Sequence, residues 1–226
     1  MTERSITVDF RYAYVEYELD GLGHVLKAIE TEIEHLARQN KAEALRGVDV
    51  PSLDDADRQF LYDEIREVRE RILPRLLRGS LIIAVWAGYE AAVRQVAWVR
   101  LSELSSQRKF RPRARFMAGA RRFFAEALKL PLEDDESRYE RLADLETIRN
   151  AFAHANGLKD GMRRDEWRQL RRVSARQQTP IAVWQDMFVP SGGFVAKAYE
   201  DVAASVRDLV ARARVAPRPA RAHLQE

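Results

Sequence analysis

Leu81-Ile82-Ile83-Ala84-Val85-Trp86 is apolar on every side of a helix, and it lies inside a stretch, Leu76 to Leu104, that stays unusually apolar throughout. A helix buried all round belongs at the centre of a bundle. The expected fold is therefore all-α, a bundle of about five or six helices with at most a small β-hairpin near 181–189. On the N-terminal side, Ile6-Val8-Phe10 alternates like a short strand, and Arg11 to Gln39 carries Val25, Ile29, Ile33 and Leu36 at helical spacing. An irregularity is expected at Gly21-Leu22-Gly23. Ser52 is a plausible N-cap for a second helix that starts at Asp54-Asp55 and that Pro74 should bend or end. On the C-terminal side come a basic link, Arg108-Lys109-Phe110-Arg111-Pro112-Arg113, a helix with Phe116, Phe123, Phe124 and Leu128, and an acidic loop at Glu133 to Glu136. A further helix runs from about Ser137 to Ala155. Ile181 to Val189 suits a small strand pair, and a last helix spans Phe194 to about Ala213. The domain expectation is an N-terminal helical segment (1–50), a bundle (51–215) and a flexible tail (216–226).

Composition narrows the chemistry. The 226 residues contain no cysteine, which excludes disulfides, thiolate metal sites and thiol nucleophiles. Net charge is only +3, but it is unevenly placed, with acidic residues in excess up to position 80 and basic residues after it. Arginine far outnumbers lysine, and its planar fork of donors suits phosphate. The uninterrupted apolar run Leu81 to Tyr89 stops at Glu90, short of a membrane span. The first residues lack the basic start and apolar stretch of a secretory signal. A cytoplasmic protein without a membrane partner is the expectation.

The residues that carry chemistry lie at the end of the Ser137–Ala155 helix, in Arg149-Asn150-Ala151-Phe152-Ala153-His154. At 100° per residue, Leu145, Ile148 and Phe152 form one apolar stripe. Glu146, Asn150 and His154, spaced by four, share a different face, and Asn150 lies about 200° from Phe152. Arg149 is long enough to bend toward the same surface. A cation, an amide and a base that titrates near neutrality thus converge. RNA cleavage by internal transesterification needs such a set: a base for the 2′-hydroxyl proton and a cation for charge on the phosphoryl oxygens. No metal or other cofactor is called for.

Arg149, the polar Asn150 and His154 reproduce the Arg-polar-x-x-x-His signature of the HEPN superfamily. Ile148 to Gly157 resembles many bacterial members down to the closing Asn156-Gly157, and the helix with Trp86, Tyr89 and Glu90 looks like the family's central helix. The resemblance covers about residues 60 to 210, and its motif is the sharp part. It implies an all-helical homodimer that brings two Arg/His sets into one cleft. It implies metal-independent endoribonuclease activity leaving 2′,3′-cyclic phosphate and 5′-hydroxyl ends, in toxin–antitoxin or other defence settings with a cognate antitoxin or defence partner. Arg149 becomes the phosphate ligand, His154 the acid/base or orienting group, and Asn150 the residue that positions the phosphate.

Each residue also has a plainer reading. His154 could cap the helix end, and Arg149 could pair with Glu146 or Asp144. Glu146 is a surface charge or orients Asn150 or His154, while Glu90 anchors a neighbouring helix or reaches Arg149. Arg163, Arg164, Arg168, Arg171 and Arg172 form the preferred RNA-backbone surface. Phe110 and Phe116 suit either base stacking or core packing. His24, His35 and His223 have no assigned role. Two rival functions stand beside the ribonuclease: a catalytically silent HEPN-like module that binds RNA or protein and dimerises, and, further off, a basic helical DNA-binding regulator.

Overall fold

The computed structural model describes residues 10–112, 115–176 and 181–217. Ile6, Val8, Arg113 and His223 lie outside them. Over the described residues the chain forms six helices and one hairpin. These are α1 (Ala13–Ala44), α2 (Asp55–Glu103), α3 (Phe116–Phe123, prolonged by a π turn at Phe124–Leu128), α4 (Glu136–Ala155), α5 (Arg164–Arg176), β1 (Ile181–Trp184), β2 (Met187–Pro190) and α6 (Gly192–Val215). The architecture is all-α with a small antiparallel hairpin, in which Ile181 pairs with Pro190 and Trp184 with Met187.

Several local expectations are revised. Helix α1 runs unbroken through Gly21 and Gly23. Glycine costs only about 1 kcal/mol inside a helix, and at Gly23 a β-carbon would come within 2.5 Å of the Tyr199 hydroxyl. The buried stripe of α1 is Val15, Leu19, Leu26, Ile33 and Ala37, continuing from Tyr12 in the 3-10 turn before it, whereas Val25 is half exposed. That stripe follows the alternating three- and four-residue spacing of a 3.5-residue period, which shifts the inward position from Val25 to Leu26. The N-cap of α2 is Asp54, whose carboxylate accepts the Asp57 N–H at 2.8 Å. Ser52 instead donates to the Asp49 carbonyl. Pro74 does not end α2. A π turn at Val68–Ile72 immediately precedes it, and such a turn relaxes the ladder where proline has no N–H to give.

By length and composition α2 can cross a membrane: an 18-residue window reaches a mean hydropathy of 1.3, although 44% of that window is buried inside the chain. The same helix supplies Leu81, Ile82, Val85, Trp86, Tyr89, Val93, Val96 and Ala97 to the core.

The chain divides into two compact units, one of Met1–Leu22, Ala87–Ala143 and Asp201–Glu226, the other of Gly23–Trp86 and Asp144–Glu200. Helices α1, α2, α4 and α6 each contribute to both, so α1 is built into each unit. In the first unit, Tyr89, Phe116, Met117, Phe124, Val206 and Leu209 are buried, and Arg207–Asp20 and Arg214–Glu16 pairs tie α6 to α1. Phe116 is a core residue, edge-on to Tyr89 with centroids 6.2 Å apart.

The same unit buries a carboxylate. Glu133 accepts Arg138 Nε at 2.9 Å and Nη2 at 2.6 Å, and its side chain is 1% exposed. Burial alone would push the Glu133 carboxyl up. Hydrogen bonds from Arg138 and the backbone of Asp135 outweigh that and hold it below the ordinary carboxylate value. A depressed folded-state pKa gives stability that is present above the unfolded value and lost as pH falls through the folded one. Glu133→Gln should therefore destabilise the protein by about 2–4 kcal/mol at pH 7, with the gap closing below pH ~4. Urea titrations at pH 7 and pH 3 measure it, and an equal gap at both would contradict the pairing.

Candidate active site

The motif helix α4 is held in place by its apolar stripe. Leu145, Ile148 and Phe152 are all buried, as their spacing requires. Phe152 fits tightly: a β-carbon at Gly79 would come within 2.5 Å of its ring, and one at Gly157 within 2.6 Å. The two glycines form a slot that only a bare backbone can line.

The end of α4 is equally specified. Asn156 and Gly157 both take positive φ, 49° and 72°, the left-handed stop that glycine and asparagine tolerate best. The Gly157 N–H returns to the Ala151 carbonyl at 3.2 Å, and Asn156 N–H to Phe152 at 3.0 Å. Two outside groups clamp this turn. Arg75 Nη1 donates to the Asn156 carbonyl at 2.7 Å, and the Phe188 N–H donates to the Gly157 carbonyl at 3.0 Å. Arg75 is buried, and burial lowers its guanidinium from the ordinary value. It was not singled out from sequence, because its partner is 81 residues away. Arg71, whose guanidinium lies 3.3 Å from the Trp184 ring centroid, was missed for the same reason.

Within this frame the three motif residues are placed as follows. Arg149 is half-buried and its Nη1 donates to Asn150 Oδ1 at 2.9 Å. Its Nε is buried without a hydrogen-bond partner, and among the described residues it makes no ion pair. Of the two acids considered as its partner, Glu146 and Asp144, Asp144 pairs with Arg176 at 2.6 Å. Asn150 is half-buried. With its carbonyl oxygen occupied by Arg149, its NH₂ group is the end left to donate outward. His154, one turn further along the same face, is exposed and makes no hydrogen bond among the described residues. The capping role considered for it is therefore not seen there.

Of the supporting candidates, Glu146 is buried on the motif helix. Glu90 belongs to the first unit and pairs with Arg94, one turn on, at 3.7 Å. The arginine series divides. Arg163 is bound to Glu166 through its backbone N–H (2.9 Å) and its side chain (3.1 and 2.9 Å), a local cap at the start of α5. Arg164, Arg168, Arg171 and Arg172 are exposed and form no ion pair among the described residues. Among those residues, no group of three or more His, Asp or Glu side chains could hold a metal ion.

Compared with family models, with curated proteins and with solved structures, the chain matches none significantly.

Proposed function

We propose that this protein is a metal-independent endoribonuclease of HEPN type, acting as a cytoplasmic toxin or defence effector and working as a homodimer. One observation carries the reading: a half-buried guanidinium without an acidic partner among the described residues, bonded to an amide whose NH₂ is left to donate, one helical turn from an exposed imidazole. An unbalanced cation in low dielectric attracts an anion strongly, and beside a base the fitting anion is one that reacts by proton transfer.

In the proposed step the 2′-oxygen attacks the adjacent phosphorus, its proton passing to an imidazole. The phosphorus–O5′ bond breaks, and the 5′-oxygen takes a proton from the general acid. Arg149 stabilises charge on the non-bridging oxygens, and the Asn150 NH₂ fixes the orientation of the phosphate. A second chain would bring a second imidazole to the same cleft, which supplies both base and acid.

The test is cleavage of labelled single-stranded RNA in EDTA, with end-group analysis of the products. Expected are 2′,3′-cyclic phosphate and 5′-hydroxyl ends at an unchanged rate with or without chelator. Intact RNA, with tight binding retained, would favour the silent module.

A further inference from the structure

Many arginines among the described residues have an acidic partner. Arg11, Arg58, Arg66, Arg71, Arg78 and Arg94 are examples that face a carboxylate. On helix α5 Arg176 pairs with Asp144, but the outer face of the helix departs from this pattern. The apolar face of α5 buries Trp167, Leu170 and Val173. At 100° per residue, Arg164, Arg168, Arg171 and Arg172 fall within one 100° arc on the opposite side. All four are exposed. Like charges one turn apart repel by a few tenths of a kcal/mol each, so the helix stands with this repulsion unrelieved. Asp165 is the one acidic residue at the edge of the arc, and Glu166, further round, is occupied by Arg163.

From this we infer that the outer face of α5 is a binding surface for the phosphate backbone of single-stranded RNA, which Arg164, Arg168, Arg171 and Arg172 grip without reading bases. The four span about 12 Å of helix rise, enough for successive phosphates. Their forked guanidinium groups match phosphate oxygens, and the arc contains no aromatic residue on which a base could stack. The surface also has a fixed register with the motif. Arg176 Nη2 reaches Asp144 at 2.6 Å, and Gln169 Nε2 reaches Thr147 Oγ1 at 3.5 Å, both on α4. The choice of RNA over another polyanion rests on the proposed ribonuclease reading.

The experiment measures binding of a labelled 20-nucleotide RNA in a His154→Ala background, so that turnover does not enter, at several salt concentrations. Joint replacement of Arg164, Arg168, Arg171 and Arg172 by Gln should weaken binding at least ~30-fold and reduce the slope of log affinity against log salt by about 2–3. The four side chains project into solvent, so the variant should keep its helical circular dichroism, and Arg168→Gln alone should lower the slope by about 0.7. Arg163→Gln should change affinity less than twofold. An unchanged affinity and salt slope in the quadruple variant overturns the assignment, as does binding to acidic phospholipid vesicles without binding to RNA. If wild-type protein cleaves nothing yet the quadruple variant loses RNA, the surface stands and the cleavage reading falls.

Discussion

On the proposed ribonuclease reading, Arg149→Ala should slow RNA cleavage by about 10²- to 10³-fold, the usual cost of removing one donor that stabilises a developing oxyanion. The protein should still fold. The group gives up one hydrogen bond, to Asn150, worth about 1 kcal/mol, which for a chain of this length lowers Tm by about 2–4 °C. His154→Ala should cost about 10²- to 10⁴-fold in rate and nothing measurable in stability, since the ring is exposed and makes no hydrogen bond among the described residues. Asn150→Asp separates a structural role from a chemical one. It sets a carboxylate against Arg149, so stability should hold or rise while an approaching phosphate meets an anion in place of an NH₂ donor. If the pair only fixed α4, this variant would be at least as active as the parent. Loss of cleavage by more than about 10²-fold at unchanged Tm is the expected result. Single-turnover assays on all three variants, beside thermal melts, give both readouts.

The sequence made the central helix and the motif helix legible because each is decided by local pattern. Leu81 to Trp86 leaves no polar side for solvent, and Leu145, Ile148 and Phe152 repeat at helical spacing before a left-handed Asn156-Gly157 stop. Features set by distant partners were not legible. Gly23 makes room for Tyr199, Gly79 for Phe152, and Arg75 reaches Asn156 across the chain; none of these contacts leaves a mark in neighbouring residues. Pro74 bends or ends a helix by local rules, and the π turn at Val68–Ile72 that lets the helix continue past it has no local mark in the sequence. The arginines illustrate both cases. Arg163 and Glu166, three apart, could have been paired from sequence as a cap, whereas the removal of Asp144 by Arg176, 32 residues away, could not.

Phe152→Ala should be the most destabilising single change near the site, by about 3–5 kcal/mol. The ring is 4% exposed and is flanked by two glycines, so the lost contacts cannot be recovered by side chains moving inward. Gly79 lies within a helix and Gly157 within a turn fixed by Arg75 and Phe188. Both walls are backbone, and collapse onto the vacated space would have to distort one of them. The cavity should therefore persist, which places the cost at the upper end for large-to-small changes. Gly79→Ala probes the same slot from the other side, because its β-carbon would press 2.5 Å from the ring and should cost about 1–3 kcal/mol by overpacking. Combining the two substitutions should cost less than their sum, since the added methyl enters the space the ring has left. Urea unfolding of the two single variants and the double variant measures this coupling. Strict additivity would mean that Phe152 is not packed against Gly79, and that the motif helix is positioned by something other than this slot.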